Sequence, residues 1–369
     1  MQKFLINKKT YRNLDVTMLS TIVAIACFGI MNIFSATHNQ SGYYYAKLQL
    51  LWLLLGIVVV FLILIIDYRV IVRYANLIYW GGVGVLLFND ITSKSIKGAS
   101  SWIRIGSRAI EPGEFVKIGL ILIISKKLEE MECNINNLRN FLILCFYAFI
   151  PIALIVIQPN LGMALICLFI VFCIFFISGL NLKAIVTGII AAIPLSILIW
   201  FSGILKDYQK QRISSFINPG AYQQDISFQL TQSMTGIGSG GLIGTGFLKG
   251  LQSSGGYIPE IHTDFIFSVI GEEWGFIGSA VLIVAYGVLI YRIIQSSIQS
   301  KDILGRFICI GVAASFIFSV FQNIGMTIGI MPIAGITLPF VSYGGSSILA
   351  NFISLALVLN VNMRRYFNA

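Results

Sequence analysis

The apolar residues of this chain neither alternate nor recur at amphipathic helical spacing. They run in nearly unbroken windows of roughly 20 residues, long enough as an α-helix to cross about 30 Å of hydrocarbon. Ten windows can be read, at about 15–36, 46–66, 70–89, 113–126, 140–157, 160–179, 183–203, 265–291, 304–329 and 345–362. The pattern predicts an all-α integral membrane protein with ten transmembrane helices, one polytopic domain over 1–369, and a large extracytoplasmic loop between helices 7 and 8. The first window is long, lacks a small-residue cleavage site and leads straight into further spans, so it is not a cleavable signal peptide. Pro151 and Pro194 fall inside windows and predict kinks.

Three polar interruptions stand out, at about 90–112, 204–264 and 330–344. In the first, Trp102, Ile103 and Ile105 alternate with basic residues, as in a segment lying in the membrane interface, where Trp prefers to sit. The third, from Met331 to Ser347, is too broken by Pro and Gly for regular helix. Such backbone is tolerated at membrane depth only where protein or a water-filled cavity shields it, so this segment is expected to line a cavity.

Composition agrees: 57% of residues are apolar and 11% charged, and the mean hydropathy is +0.87, which excludes a soluble globular domain. The net charge of +10 follows topology. With both termini cytoplasmic, 15 of the 25 basic residues fall on short inner segments, as the positive-inside rule requires. Nine of the other ten cluster at 94–117 and 206–249. Either long translocated loops escape the rule, or a cationic outer vestibule attracts an anionic headgroup or phosphate. No aromatic-basic pattern points to nucleic acid. The six cysteines lack CxxC spacing and read as apolar fillers, and His38 and His262 are too few for a His-built metal site.

Ionisable residues inside spans are costly and therefore candidates. Glu114 and Lys117 are three apart, share a helix face and can pair. They form either a structural ion pair or a phosphate-binding lysine held by its glutamate. Asp264 lies where the long loop re-enters the membrane, beside the apolar Phe265-Ile-Phe. It suits a general base with a raised pKa, or a helix N-cap. If the eighth helix is regular, Glu272 and Glu273 lie roughly 12–14 Å deeper and read as structural. Gly271, Gly275 and Gly278 then form a stripe admitting a neighbouring helix. The run Gly236-Ile-Gly238-Ser-Gly240-Gly241 matches GxGxxG but follows no strand, so a dinucleotide site fails its context test. A flexible loop or an anion nest remains.

Five ordered motifs resemble the SEDS family (shape, elongation, division and sporulation) over nearly the whole chain. They are Lys97-Gly-Ala-x-x-Trp102-Ile, Gln158-Pro-Asn-Leu-Gly-Met-Ala164, Gly236-Ile-Gly-Ser-Gly-Gly-Leu-Ile-Gly244, Pro259-Glu-x-His262-Thr-Asp264-Phe-Ile-Phe, and Leu338-Pro-Phe-Val-Ser342-Tyr-Gly-Gly-Ser-Ser347. Asn323-Ile-Gly-Met-Thr-Ile-Gly and Gly-Met-Ala164 resemble the elongation branch more than the division branch. The resemblance implies a peptidoglycan glycosyltransferase of the bacterial plasma membrane. It would polymerise lipid II at the outer face, beside a class B penicillin-binding protein and other membrane proteins of the elongation complex. It places the catalytic carboxylate on Asp264. Substrate-binding roles are expected for Trp102, Glu114, Lys117 and Arg212, with Lys97, Arg104, His262 and Ser342 as further candidates. A divalent cation such as Mg2+ could assist, although no cage for one is visible. Two departures matter: Asn160 and Met163 stand where the motif usually has Asp and Thr, and Ser101 stands where it has Arg. A lipid II flippase is the rival reading and requires Glu114, Lys117 and Glu272 to line one path across the bilayer.

Overall fold

The computed structural model describes residues 13–92, 101–105, 108–203, 207–217 and 226–365. The predicted windows correspond to long helices: α1 (Val16–Ser41), α2 (Tyr44–Ile65), α4 (Ala75–Thr92) after the short α3 (Tyr68–Arg73), α5 (Pro112–Glu130), α6 (Leu138–Ile157), α7 (Leu161–Ile177) and α8 (Leu182–Phe201). After the long loop follow α12 (Ile266–Ile298), α13 (Ile303–Thr327) and α14 (Gly345–Arg364). Six of these, α1, α2, α6, α12, α13 and α14, are long and apolar enough to cross a membrane by length and composition. Local signals set the starts. Pro112 opens α5, while Asn160 and Asp302 cap α7 and α13 by accepting from Met163 N–H at 3.2 Å and Gly305 N–H at 2.8 Å.

The helices form one bundle. α5 runs through its middle, packed against α4, α6, α7, α13 and α14, and nearly all of its N-terminal two-thirds is buried. α13 and α14 are buried on most of their surface as well. α8 is the opposite case, with no buried residue among those described.

Three features go beyond what the apolar windows predict. The 90–112 segment contains a hairpin: β1 (Ile103–Ile105) pairs antiparallel with β2 (Arg108–Ile110), Arg104 opposite Ala109. The alternation of Ile103 and Ile105 was the pleat of a strand. The long loop carries helices of its own, α9 (Asp207–Ile217), α10 (Ile226–Ser239) and α11 (Leu251–Ser254). Finally, α12 is not regular, because Gly275 has φ 64° and ψ −161°.

The break in α12 explains the glycine-rich run. Thr245 and Gly246 N–H donate to the carbonyls of Glu272 and Glu273 at 2.9 and 3.1 Å, while Phe276 and Ile277 N–H donate to Gly241 and Leu242 carbonyls at 2.9 and 3.1 Å. The run therefore fills the gap in the helix and satisfies the backbone groups that the break frees, as an apolar surrounding demands. It is neither a flexible loop nor an open anion nest. A side chain on Gly240 would overlap the Gly271 carbonyl. The glycine stripe on α12 thus admits α10 and this run.

Candidate functional site

Asp264 ends the turn that leads into α12, half-buried. It is not the N-cap, a position held by Phe265 without a side-chain cap. Three successive carbonyls fix its backbone. That of His262 accepts from Tyr343 N–H at 2.9 Å, that of Thr263 from the Ser342 hydroxyl at 2.6 Å, and that of Asp264 from the Asn323 amide at 2.8 Å. Asn323 donates also to the Ile336 carbonyl at 2.7 Å. One buried asparagine of α13 thereby joins Asp264 to the irregular 330–344 segment. Each of these bonds removes a way for the carboxylate to drift.

Gly335 brings the charges together. It has φ +68°, a left-handed conformation that glycine tolerates at no steric cost. A Cβ there would lie 3.5 Å from Asp264 Oδ2 and 3.6 Å from Arg212 Nη1. Carboxylate and guanidinium thus converge over one glycine, the arginine reaching in from α9. The same glycine lines a cleft with Glu111, Glu114, Lys117, Asn160 and Thr337, so the 330–344 segment does line a cavity.

Inside the cleft Lys117 Nζ lies 2.5 Å from Glu114 Oε2, with the side chains only 3% and 5% exposed. Oε2 has no hydrogen-bond partner, so the contact is a charge pair without hydrogen-bond alignment. The i, i+3 spacing brings the two residues together, and the pair also faces the cleft. Glu111, just ahead of α5, accepts from the Asn160 amide at 2.5 Å. Burial foremost, then the Glu114 charge, pushes the Glu111 carboxyl above the ordinary carboxylate range, while Asn160 and Lys117 pull it down. Asn160 thus works at both ends, its carbonyl capping α7 and its amide holding Glu111. An aspartate could do only the first.

The other predicted residues divide. Ser342 is buried, with its hydroxyl used on Thr263 and on Leu338 N–H at 2.8 Å. It holds the backbone that leads to Asp264. The His262 ring packs against Tyr45 and Tyr343, with centroids 4.6 and 5.6 Å apart. Trp102 is half-buried ahead of β1. Arg104 lies on β1, and its side chain is outside what is described, as is all of Lys97. Glu272 accepts from Gln252 and Ser253 N–H at 2.7 and 2.8 Å, and Glu273 accepts from the Ser35 hydroxyl. Both make the structural hydrogen bonds expected of them. Sequence reasoning passed over Glu111 and gave Asn323 no part in the site. The signals available were an acid one helical turn before Glu114 and an amide inside an apolar window. Among the described residues no three His, Cys, Asp or Glu are grouped to hold a metal ion.

The cell cycle protein family of FtsW, RodA and SpoVE matches residues 13–366. The chain is 32% identical over 373 residues to the probable peptidoglycan glycosyltransferase FtsW of Geobacter metallireducens, covering 98% of each chain. It is 31% identical over 362 residues to the peptidoglycan glycosyltransferase MrdB of Escherichia coli K12, covering 97% of each. Its structure matches a chain of a peptidoglycan synthase complex that coordinates polymerization and crosslinking (TM-score 0.83, 30% identity, 96% of this chain and 99% of that one). It also matches the rod shape determining protein RodA of Thermus thermophilus (TM-score 0.73, 28% identity, 96% and 98%). The chain belongs to the FtsW/RodA/SpoVE family.

Proposed function

From that membership and the convergence at Gly335 we propose that this chain is a peptidoglycan glycosyltransferase that polymerises lipid II into β-1,4 glycan strands. The observation that carries the reading is one carboxylate, Asp264, held by three backbone bonds beside the Arg212 cation and a cleft containing Lys117. Asp264 takes the proton of the acceptor sugar's 4-hydroxyl as that oxygen attacks the anomeric carbon of the donor. The bond from that carbon to the pyrophosphate oxygen breaks, the electron pair leaves with polyprenyl pyrophosphate, and the configuration inverts from α to β. Arg212 and Lys117, with Arg104 of the hairpin, stabilise the charge developing on the leaving group.

In this reading the protein lies in the plasma membrane with both termini cytoplasmic. All ten long helices cross, and the loops at 90–112, 204–264 and 330–344 meet at the outer face, where charge patterning puts the cationic clusters. A class B penicillin-binding protein supplies the crosslinking, as the synthase complex suggests. Relatives carry both FtsW and RodA (MrdB) names. The Asn323 and Gly-Met-Ala164 motifs favour the elongation and cell-shape role.

The rival, a flippase, needs a bilayer to act across. Purified protein in detergent micelles with lipid II therefore separates the two. Glycan chains resolved by electrophoresis are the expected product, and unchanged lipid II under conditions where the protein stays folded would overturn the polymerase reading.

A further inference from the structure

The cleft holds more acid than its base requires. Lys117 is matched by Glu114 at 2.5 Å, which leaves Glu111 as a second carboxyl with no cation of its own among the cleft-lining residues. A surplus carboxyl in such a place is expensive, yet the fold holds it in place. The Asn160 amide donates to Glu111 Oε1, and the Glu111 N–H donates to the Ser346 hydroxyl at 3.3 Å. A second, independent observation concerns Glu114. Its Oε2 is buried in the same cleft, 2.5 Å from Lys117 Nζ but without an aligned hydrogen bond. The cleft thus holds two carboxyl groups and a single lysine, so a hydrogen-bond donor is the partner that Glu111 suits. A pyrophosphate, which is an acceptor, cannot meet that need. The hydroxyl and acetamido N–H groups of a sugar can. A metal ion would have to share Glu114 with the ammonium of Lys117.

We propose that Glu111 is a substrate-positioning residue, its carboxyl group accepting from hydroxyl or N–H groups of a sugar of the lipid-linked substrate, and that Asn160 holds it in that pose. The proposal rests on the polymerase reading and divides the site into two parts. Arg212 and Asp264 serve the reacting centre over Gly335, and Glu111, held by Asn160, grips a sugar in the cleft.

The test is steady-state polymerisation of lipid II by the purified full chain. Glu111→Gln keeps the bond from Asn160, since an amide oxygen also accepts, and removes only the carboxyl group. Losing that carboxyl's hydrogen bond to substrate predicts a rise in KM of about 5- to 10-fold with kcat changed far less. Glu111→Gln/Asn160→Asp rebuilds the same bond with donor and acceptor exchanged and returns the carboxyl to the cleft. KM is expected to recover to within about threefold of wild type. A KM for Glu111→Gln equal to that of wild type would overturn the proposal, as would a double variant no better than the single one. An equal fall in thermal midpoint and in kcat, with KM unmoved, would assign Glu111 a structural role instead. Wild-type polymerisation in the same assay keeps the outcomes apart. If wild type makes no glycan, it is the polymerase reading that fails.

Discussion

Helices α5 and α8 are of nearly equal length, 19 and 20 residues, and they differ sharply in burial. α5 carries Glu114, Lys117 and Ser125 and runs through the centre. α8 has a purely apolar body after Lys183, apart from Thr187 and Ser196, and none of its described residues is buried. In water the more apolar helix would be the interior one. In a bilayer lipid is as apolar as leucine, so apolar surface alone gives no reason for helices to associate. Small residues, polar bonds and close packing do so. The polar helix is inside because hydrocarbon cannot solvate its charges, and the apolar helix stands at the edge because lipid covers it equally well.

The comparison can be broken at its strongest point first. Lys117→Met leaves Glu114 buried without a counter-charge and should cost about 3–5 kcal/mol, seen as a large fall in the detergent melting temperature together with loss of polymerisation. An unshifted midpoint would mean that the pair is solvated. Gly240→Val, at the closest approach of the glycine run to α12, should cost about 1–3 kcal/mol through overpacking. Its signature is faster amide exchange at Thr245 and Gly246, whose bonds bridge the broken helix. Asn323→Ala strands the carbonyls of Asp264 and Ile336 and should cost about 1–3 kcal/mol. Because it also loosens the catalytic carboxylate, kcat should fall while KM holds. A kcat equal to wild type would show that Asp264 needs no such anchor. At the other extreme, Ile189→Leu and Ile190→Leu on α8 should each shift stability by less than about 0.5 kcal/mol. A larger effect from either would show that α8 is packed against the bundle.

Much of this contrast was legible in the sequence. Window length and hydropathy located the long helices, the i, i+3 spacing paired Glu114 with Lys117, and the position of Asp264 between polar loop and apolar run marked it. Three things were hidden, each for a physical reason. The role of Asn323 depends on contacts 59 and 13 residues away in sequence, which periodicity cannot report. The glycine stripe of α12 was read on a regular helix. The turn at Gly275 redirects it, and only the partner segment 241–246 shows why the break is tolerated. Glu111 stands outside the apolar window, so a search for charges inside spans passes over it. Its importance rests on Asn160, the residue at which the family motif is departed from. Charge alone also could not reveal that Arg212 and Asp264 both approach Gly335, a glycine of the third loop.

The central claim is that Asp264 is the base of a polymerase. Glycan synthesis from lipid II by the purified chain, compared with that of its Asp264→Asn variant at matched thermal stability, tests it most directly. Loss of a positioned general base predicts a fall of about 10²- to 10⁴-fold in rate with the fold intact. An Asp264→Asn protein that polymerises at the wild-type rate would contradict the account.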